Sequence, residues 1–288
     1  DDAGPALPPG EATVGGTKVF EHQAHCPFRA FAELRLGARA LETASPGLAP
    51  WERGQLVHKA LERIWEDLQT SVELRRRNPG ELQRTVSEGV EHALRRLVEE
   101  RREPLPPRFE SVERSRLEEL LLAWLDTEKE LRKDDFTVVG REAEQSFELA
   151  GVRAELRVDR VDELADGRRI IVDYKTGKVT VAEWDRERPL EPQLPLYAIS
   201  QGENLAGAVF ARLGADALKF EGALASDVRI DRAMPKKAPE LAGRVELWRE
   251  HLEALARNYL AGRAEVDPRD GKCGHCKLPT LCRKDEAE

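Results

Sequence analysis

Long apolar runs are missing from this chain of 288 residues. No stretch approaches the roughly 18 consecutive apolar residues that cross a bilayer. A basic start followed by an apolar stretch and a small-residue cleavage site is also absent, so no secretory leader is legible. Positive charge is in deficit: 46 Lys and Arg against 54 Asp and Glu leave a net −8. That excludes broad electrostatic wrapping of nucleic acid, because phosphate binding draws on Lys and Arg. Any such contact is then local or shared with another domain, whereas an acidic metal site stays compatible. No phosphate-cradling Walker A loop occurs, since neither Gly177-Lys178 nor Gly271-Lys272 has a glycine five residues earlier. A helicase or ATPase would have to lie in another segment or subunit. The expected setting is cytoplasmic, with no membrane partner. Methionine occurs once, at Met234, and the opening DDAGPALPPGEA is rich in Pro and Gly. Residues 1–17 therefore read as a linker, and an upstream domain is expected.

Charge and helical periodicity are what the chain has in quantity. Its 35% charged and 40% hydrophobic content suits a helix-rich protein with solvated faces. Lys18 to Ala40 carries Cys26-Pro27-Phe28, where Pro27 suits a helix's first turn, and then Phe31, Leu34 and Leu36 at helical spacing. After a loop at Ser45 to Pro50, an amphipathic helix is expected from about Gln55 to Arg77, with the stripe His58, Leu61, Trp65 and Leu68. Asn78-Pro79-Gly80 breaks it, and helices over about 82–102 and 109–132 make up a helical insertion of residues 80–133. Strands are expected at 136–139 and 146–149, then a hairpin within Glu155–Lys178 that turns at Ala165-Asp166-Gly167. A helix from Pro189 to Ser200, strands at 206–213 and 218–223, and a helix from Pro239 to Leu260 complete an α/β chain.

The hairpin organises the rest. Its second strand is Ile170-Ile171-Val172 followed by Asp173-Tyr174-Lys175, and side chains two apart share a face. Asp173 and Lys175 then point together while Tyr174 points away. Asp159 lies fourteen residues earlier on the partner strand (173 − 159). Two acids and an amine so placed can hold a divalent cation with the amine beside it; taken alone, Asp-x-Lys at a strand end reads as a surface ion pair, and the apolar run and second acid set the two readings level. His58 alone reads as a core histidine, and Gln193 and Tyr197, one helical turn apart, as packing.

Together the motifs are Gly54-x-x-x-His58, Asp159-Arg160-Val161-Asp162, Asp173-Tyr174-Lys175-Thr176-Gly177 and Gln193-x-x-x-Tyr197. In this order they resemble the PD-(D/E)XK nuclease superfamily, in its RecB/AddB-like branch, over roughly residues 20–285. The resemblance implies a restriction-endonuclease-like core: a small mixed sheet flanked by helices, within a nuclease domain of residues 18–288. It implies a Mg²⁺- or Mn²⁺-dependent deoxyribonuclease, more an exonuclease than an endonuclease, acting on single-stranded DNA or DNA ends in repair or recombination. Its metal ligands would be His58, Asp159, Asp173 and the carbonyl of Tyr174. Oxygen donors suit Mg²⁺, and imidazole tunes such a site toward Mn²⁺. Lys175 would orient or deprotonate the attacking water, a role helped by a pKa lowered by burial. Gln193 and Tyr197 would meet the DNA backbone and buttress the site. Asp162 reads as an ion-pair partner of an arginine, and Glu144, on the preceding strand, as a candidate for support. The family often has a glycine where this chain has Arg157.

Four cysteines occur, Cys26 and then Cys273, Cys276 and Cys282. Disulfides fit poorly with a cytoplasmic setting, while structural zinc is compatible with four thiolates. The pattern resembles the iron–sulfur staple of AddB-type nucleases, which implies a [4Fe–4S] cluster on these four residues. It would close a loop of 247 residues (273 − 26) within the segment 273–282 and the N-terminal region.

Overall fold

The computed structural model describes residues 3–8, 13–39, 47–101, 104–214, 216–231, 241–269, 271, 273–276 and 278–284. Its elements are α1 (Thr17–His25), α2 (Pro27–Ala30, running into a π-turn at Phe31–Arg35), α3 (Pro50–Leu68), α4 (Ser71–Arg76), α5 (Pro79–Arg101) and α6 (Pro107–Leu131). Then come β1 (Phe136–Leu149), β2 (Val152–Leu164), β3 (Arg169–Lys175), α7 (Gln193–Gln201), β4 (Leu205–Leu213), β5 (Leu218–Leu224), α8 (Leu241–Leu260) and α9 (Pro279–Cys282). Among the described residues no helix is long and apolar enough to cross a membrane.

The five strands form one mixed sheet in the order β1-β2-β3-β4-β5. Only β3 and β4 run parallel, and a parallel neighbour needs a crossover, which α7 supplies. β4 is buried at every position, as a central strand covered on both faces must be. The period of two in β3 sends Ile170, Val172 and Tyr174 into a core shared with α3, α5 and α6. Ile171 enters a second core built with α1, α7 and α8, and Asp173 and Lys175 share its parity. The expected small mixed sheet flanked by helices is the architecture found. On the first face α3 and α5 approach closely: a Cβ on Gly89 would stand 2.9 Å from the carbonyl oxygen of Ala60.

Three elements depart from expectation. The helix read as continuous from Gln55 to Arg77 ends at Leu68, where Gln69 turns left-handed (φ 59°). Thr70 then caps α4, its hydroxyl accepting from the N–H of Glu73 at 3.1 Å, a Thr-x-x-Glu start signal that the apolar stripe obscures. The break lets the Gln69 carbonyl accept from Val138 at 2.7 Å, so β1 is anchored there. Second, the two short strands at 136–139 and 146–149 are one strand. Third, residues 3–8, read as linker, bond to the end of α8: Gly4 N–H donates to Gly262 O at 2.7 Å and Leu7 N–H to Leu260 O at 2.8 Å. Cys26 is extended (φ −170°, ψ 122°), and Pro27 opens the next helix, as its position suggests.

The helical insertion reaches the sheet through buried charge. Glu128 on α6 accepts from Arg160 on β2, and Asp162 accepts from both Arg160 (2.9 Å) and Arg132. The Arg160 guanidinium also stacks over Trp65 at 4.3 Å and donates to the hydroxyl of Tyr174 at 3.0 Å. Asp162 is thus an ion-pair partner, as its motif position suggests. Removing one member strands the others as unpaired charges in the interior, which costs about 3–5 kcal/mol. Glu128→Ala is therefore expected to lose about 3 kcal/mol in urea denaturation; a loss below about 1 kcal/mol would show that the network is dispensable.

Candidate active site

The site begins with a register. Ala150 (φ 47°) and Gly151 (φ 84°) form a two-residue turn with both φ positive, the type I′ geometry that matches strand twist. Leu149 therefore pairs with Val152, and counting seven residues outward from each sets Glu142 opposite Asp159, between the pairs Arg141–Arg160 and Ala143–Val158. On the other side, the β2–β3 ladder ends with Arg160 opposite Val172, and the next step sets Asp159 beside Asp173. Three carboxylates, Glu142, Asp159 and Asp173, thus stand in a row across three strands. Like charges placed so repel unless something of opposite sign joins them.

Asp159 is held from two directions. Its Oδ2 accepts from the N–H of Tyr174 at 2.7 Å, and its Oδ1 lies 3.2 Å from Nδ1 of His58. His58, on α3 at the rim of the buried stripe, donates from Nε2 to the carbonyl of Tyr174 at 2.9 Å. Burial disfavours a charged imidazole, but the charge and hydrogen bond of Asp159 outweigh it and hold the His58 pKa above its usual value. Burial likewise opposes the Asp159 carboxylate, yet His58 and the Tyr174 N–H keep its pKa below the usual range. Glu142 is raised by burial and by Asp159 next to it, and is paired with Arg157.

Asp173 is 1% exposed, and burial pushes its pKa up to about 6. Its Oδ2 stands 2.6 Å from the Lys175 ammonium, but neither oxygen receives a well-angled hydrogen bond. Lys175 Nζ also donates to Gln193 Oε1 at 3.4 Å, Gln193 Nε2 donates to the Tyr197 hydroxyl at 3.0 Å, and that hydroxyl donates to the carbonyl of Arg157. Burial opposes the Lys175 charge, but Asp173 and Asp159 outweigh it and raise its pKa. The direction is opposite to the lowering expected from burial alone, because two carboxylates face this lysine.

His58, Glu142 and Asp159 each offer a donor atom within 4.8 Å of the others. Asp173, expected among the ligands, is not in that set; its carboxylate is turned to Lys175. The donor set suits a divalent cation: one imidazole, carboxylate oxygens, and a neighbouring buried carboxylate with unsatisfied oxygens. Sequence reasoning missed Glu142. Its signal was the Ala150-Gly151 turn, from which the register counts to Asp159. The side chain of Glu144, the candidate for support, lies outside the described residues. Arg157, where a glycine is frequent in the resembling family, is exposed and lends its guanidinium to Glu142. His58, Glu142, Arg157, Asp159, Tyr174, Lys175 and Gln193 line a cleft of ≈ 410 Å³, together with Pro50, Trp51 and Gln55.

A second gathering lies at the C-terminal end of α1. Cys26, Cys273, Cys276 and Cys282 line one small cavity with Phe28, Val266 and Pro268. Burial raises the Cys26 thiol above the ordinary cysteine value. The segment is fastened independently of the thiols: Phe28 N–H donates to Glu265 O at 3.0 Å, and Arg269 N–H to His25 O at 2.9 Å.

A comparison with curated proteins found no match. Among solved structures, one titled "Crystal structure of SSO0001" is similar over 92% of this chain and 94% of its own, at 13% identity and a TM-score of 0.31, too low to carry an argument. The family model for the PD-(D/E)XK nuclease superfamily matches residues 18–283. With the whole five-stranded sheet and every residue lining the cleft inside that match, the chain belongs to the PD-(D/E)XK nuclease superfamily.

Proposed function

We propose that this chain is a Mg²⁺- or Mn²⁺-dependent DNA nuclease of the RecB/AddB-like branch, acting on single-stranded DNA or DNA ends, more as an exonuclease than an endonuclease. Its setting is repair or recombination in the cytoplasm, within a larger protein or complex that supplies a helicase or ATPase. Superfamily membership supports metal-dependent nuclease chemistry. The observation that carries the reading is the row Glu142–Asp159–Asp173, flanked by His58 on one side and Lys175 on the other. His58, Glu142 and Asp159, with Asp173 adjacent, would hold the divalent cation, which when bound would neutralise charge growing on the scissile phosphate.

The remaining work falls to the chain itself. Asp173 and Gln193 fix the Lys175 ammonium, which donates a hydrogen bond to the attacking water or to a phosphate oxygen and favours the more anionic transition state. Tyr197 fixes Gln193, and the Arg157 carbonyl fixes Tyr197; the pair buttresses the lysine in preference to reading DNA. Glu142 is held at φ 44°, a backbone cost of order 1–3 kcal/mol for a non-glycine residue, and its carboxylate enters the donor set at that cost.

We read the four cysteines as ligands of a [4Fe–4S] cluster with an architectural role. The shared apolar cavity and the long sequence separation support this reading, since joining such distant segments constrains the unfolded chain.

Lys175→Ala is expected to lower Mn²⁺-dependent cleavage of single-stranded DNA by a hundredfold or more; equal activity in both proteins refutes the assigned chemistry. Glu142→Ala is expected to raise the Mn²⁺ concentration needed for half-maximal cleavage at least about tenfold, and an unchanged Mn²⁺ titration removes Glu142 from the donor set. Protein purified without oxygen is expected to be brown and to carry about four irons per chain. Cys26→Ser is expected to lose that colour; colourless wild-type protein loaded with zinc would replace the cluster with a zinc site.

A further inference from the structure

Five tryptophans occur in the chain, and four are core residues: Trp65, Trp124, Trp184 and Trp248 are between 0 and 1% exposed. Trp51 is 64% exposed. An indole left in water forfeits the hydrophobic stabilisation that places the others inside. Its position is particular. Trp51 is the second residue of α3, and Gln55 and His58 follow at i+4 and i+7, so the three share one face of the helix. Seven residues span about 10 Å along the axis, a distance that nucleotides flanking a scissile bond cover. Trp51 and His58 line the same cleft.

The electrostatics of that cleft sharpen the point. Among the described residues lining it, the cations are Lys59, Arg157 and Lys175. Lys59 holds Glu100, Arg157 holds Glu142 and Lys175 holds Asp173. A phosphate backbone entering here competes with a carboxylate for each positive charge, in a chain of net charge −8. Attraction independent of charge then helps to seat a polynucleotide, and the flat, exposed π-surface of Trp51 lining the cleft provides it.

We propose that Trp51 is a stacking platform for one unpaired nucleobase of the DNA strand, next to the bond placed at the donor set. This rests on the nuclease reading and narrows it: a base inside a duplex keeps both faces covered by its neighbours, so the platform selects single-stranded DNA and frayed ends. Base recognition by stacking is tolerant of sequence, because every base has a π-face. Binding through it has a shallower salt dependence than binding through phosphate contacts alone.

The arrangement of the tryptophans supplies the test. In EDTA, where no cleavage occurs, the full chain is titrated with an unlabelled oligodeoxythymidylate while tryptophan emission is followed, and with a fluorescently labelled copy while its anisotropy is followed. Stacking on Trp51 quenches the emission of the one exposed indole. Trp51→Phe is expected to keep the affinity and lose the quenching, and Trp51→Ala to weaken binding about tenfold. An abasic strand of the same length is expected to bind wild type and Trp51→Ala equally. Equal affinity of wild type and Trp51→Ala for the oligonucleotide, or binding without quenching, overturns the proposal. Cleavage in Mn²⁺ separates the two readings. Saturable quenching with no cleavage by wild type sinks the hydrolytic assignment and leaves the platform standing. Cleavage by both proteins with an unchanged KM for single strands sinks the platform alone.

Discussion

Tyr174 binds the candidate site from three sides. Its N–H holds the carboxylate of Asp159, its carbonyl meets the imidazole of His58, and its buried phenol accepts from Arg160. These bonds come from a single residue whose side chain faces one core while its two neighbours, Asp173 and Lys175, face the other way. The alternation of the strand thus separates structure from chemistry: even positions anchor, odd positions carry the charge. Displacing Tyr174 would move the donor atoms of α3 and β2 together.

The buried ions behind Tyr174 tie α6 to the sheet. Glu128, on α6, neutralises Arg160, and Arg160 in turn supports the Tyr174 phenol. A charged interior contributes little net stability compared with an apolar one, but it tolerates few alternative arrangements. Its members meet only when α6, β2 and β3 are in register. Asp159 and Arg160 are adjacent in sequence and face opposite sides of the sheet, so the network that fixes one also sets the direction of the other.

Much of this was legible in the residues. The hairpin at Ala165-Asp166-Gly167 and the shared face of Asp173 and Lys175 follow from a period of 2, and the meeting of His58 with Asp159 is what the family resemblance implied. What escaped has a physical reason in each case. Glu142 joins the donor set through a cross-strand register whose turn, Ala150-Gly151, lacks the Asn-Gly or Asp-Gly signature of its type. The α3 break at Gln69 was hidden because Val72, four residues after Leu68, continues the apolar spacing into the next helix. The Lys175 charge state depends on how many carboxylates converge, a three-dimensional sum that burial alone does not determine. The cysteines, by contrast, were legible as a group before any coordinates, and one cavity lines all four.

β1 is also an outer strand of the sheet, fourteen residues long, and such an edge is a template on which a second molecule can zip. Its ladder slips between Val138 and Gly140, and its backbone kinks at Glu142. Irregularities of this kind deny a straight partner strand the even spacing it needs. The same kink that points a carboxylate into the cleft therefore also breaks the regularity of this edge.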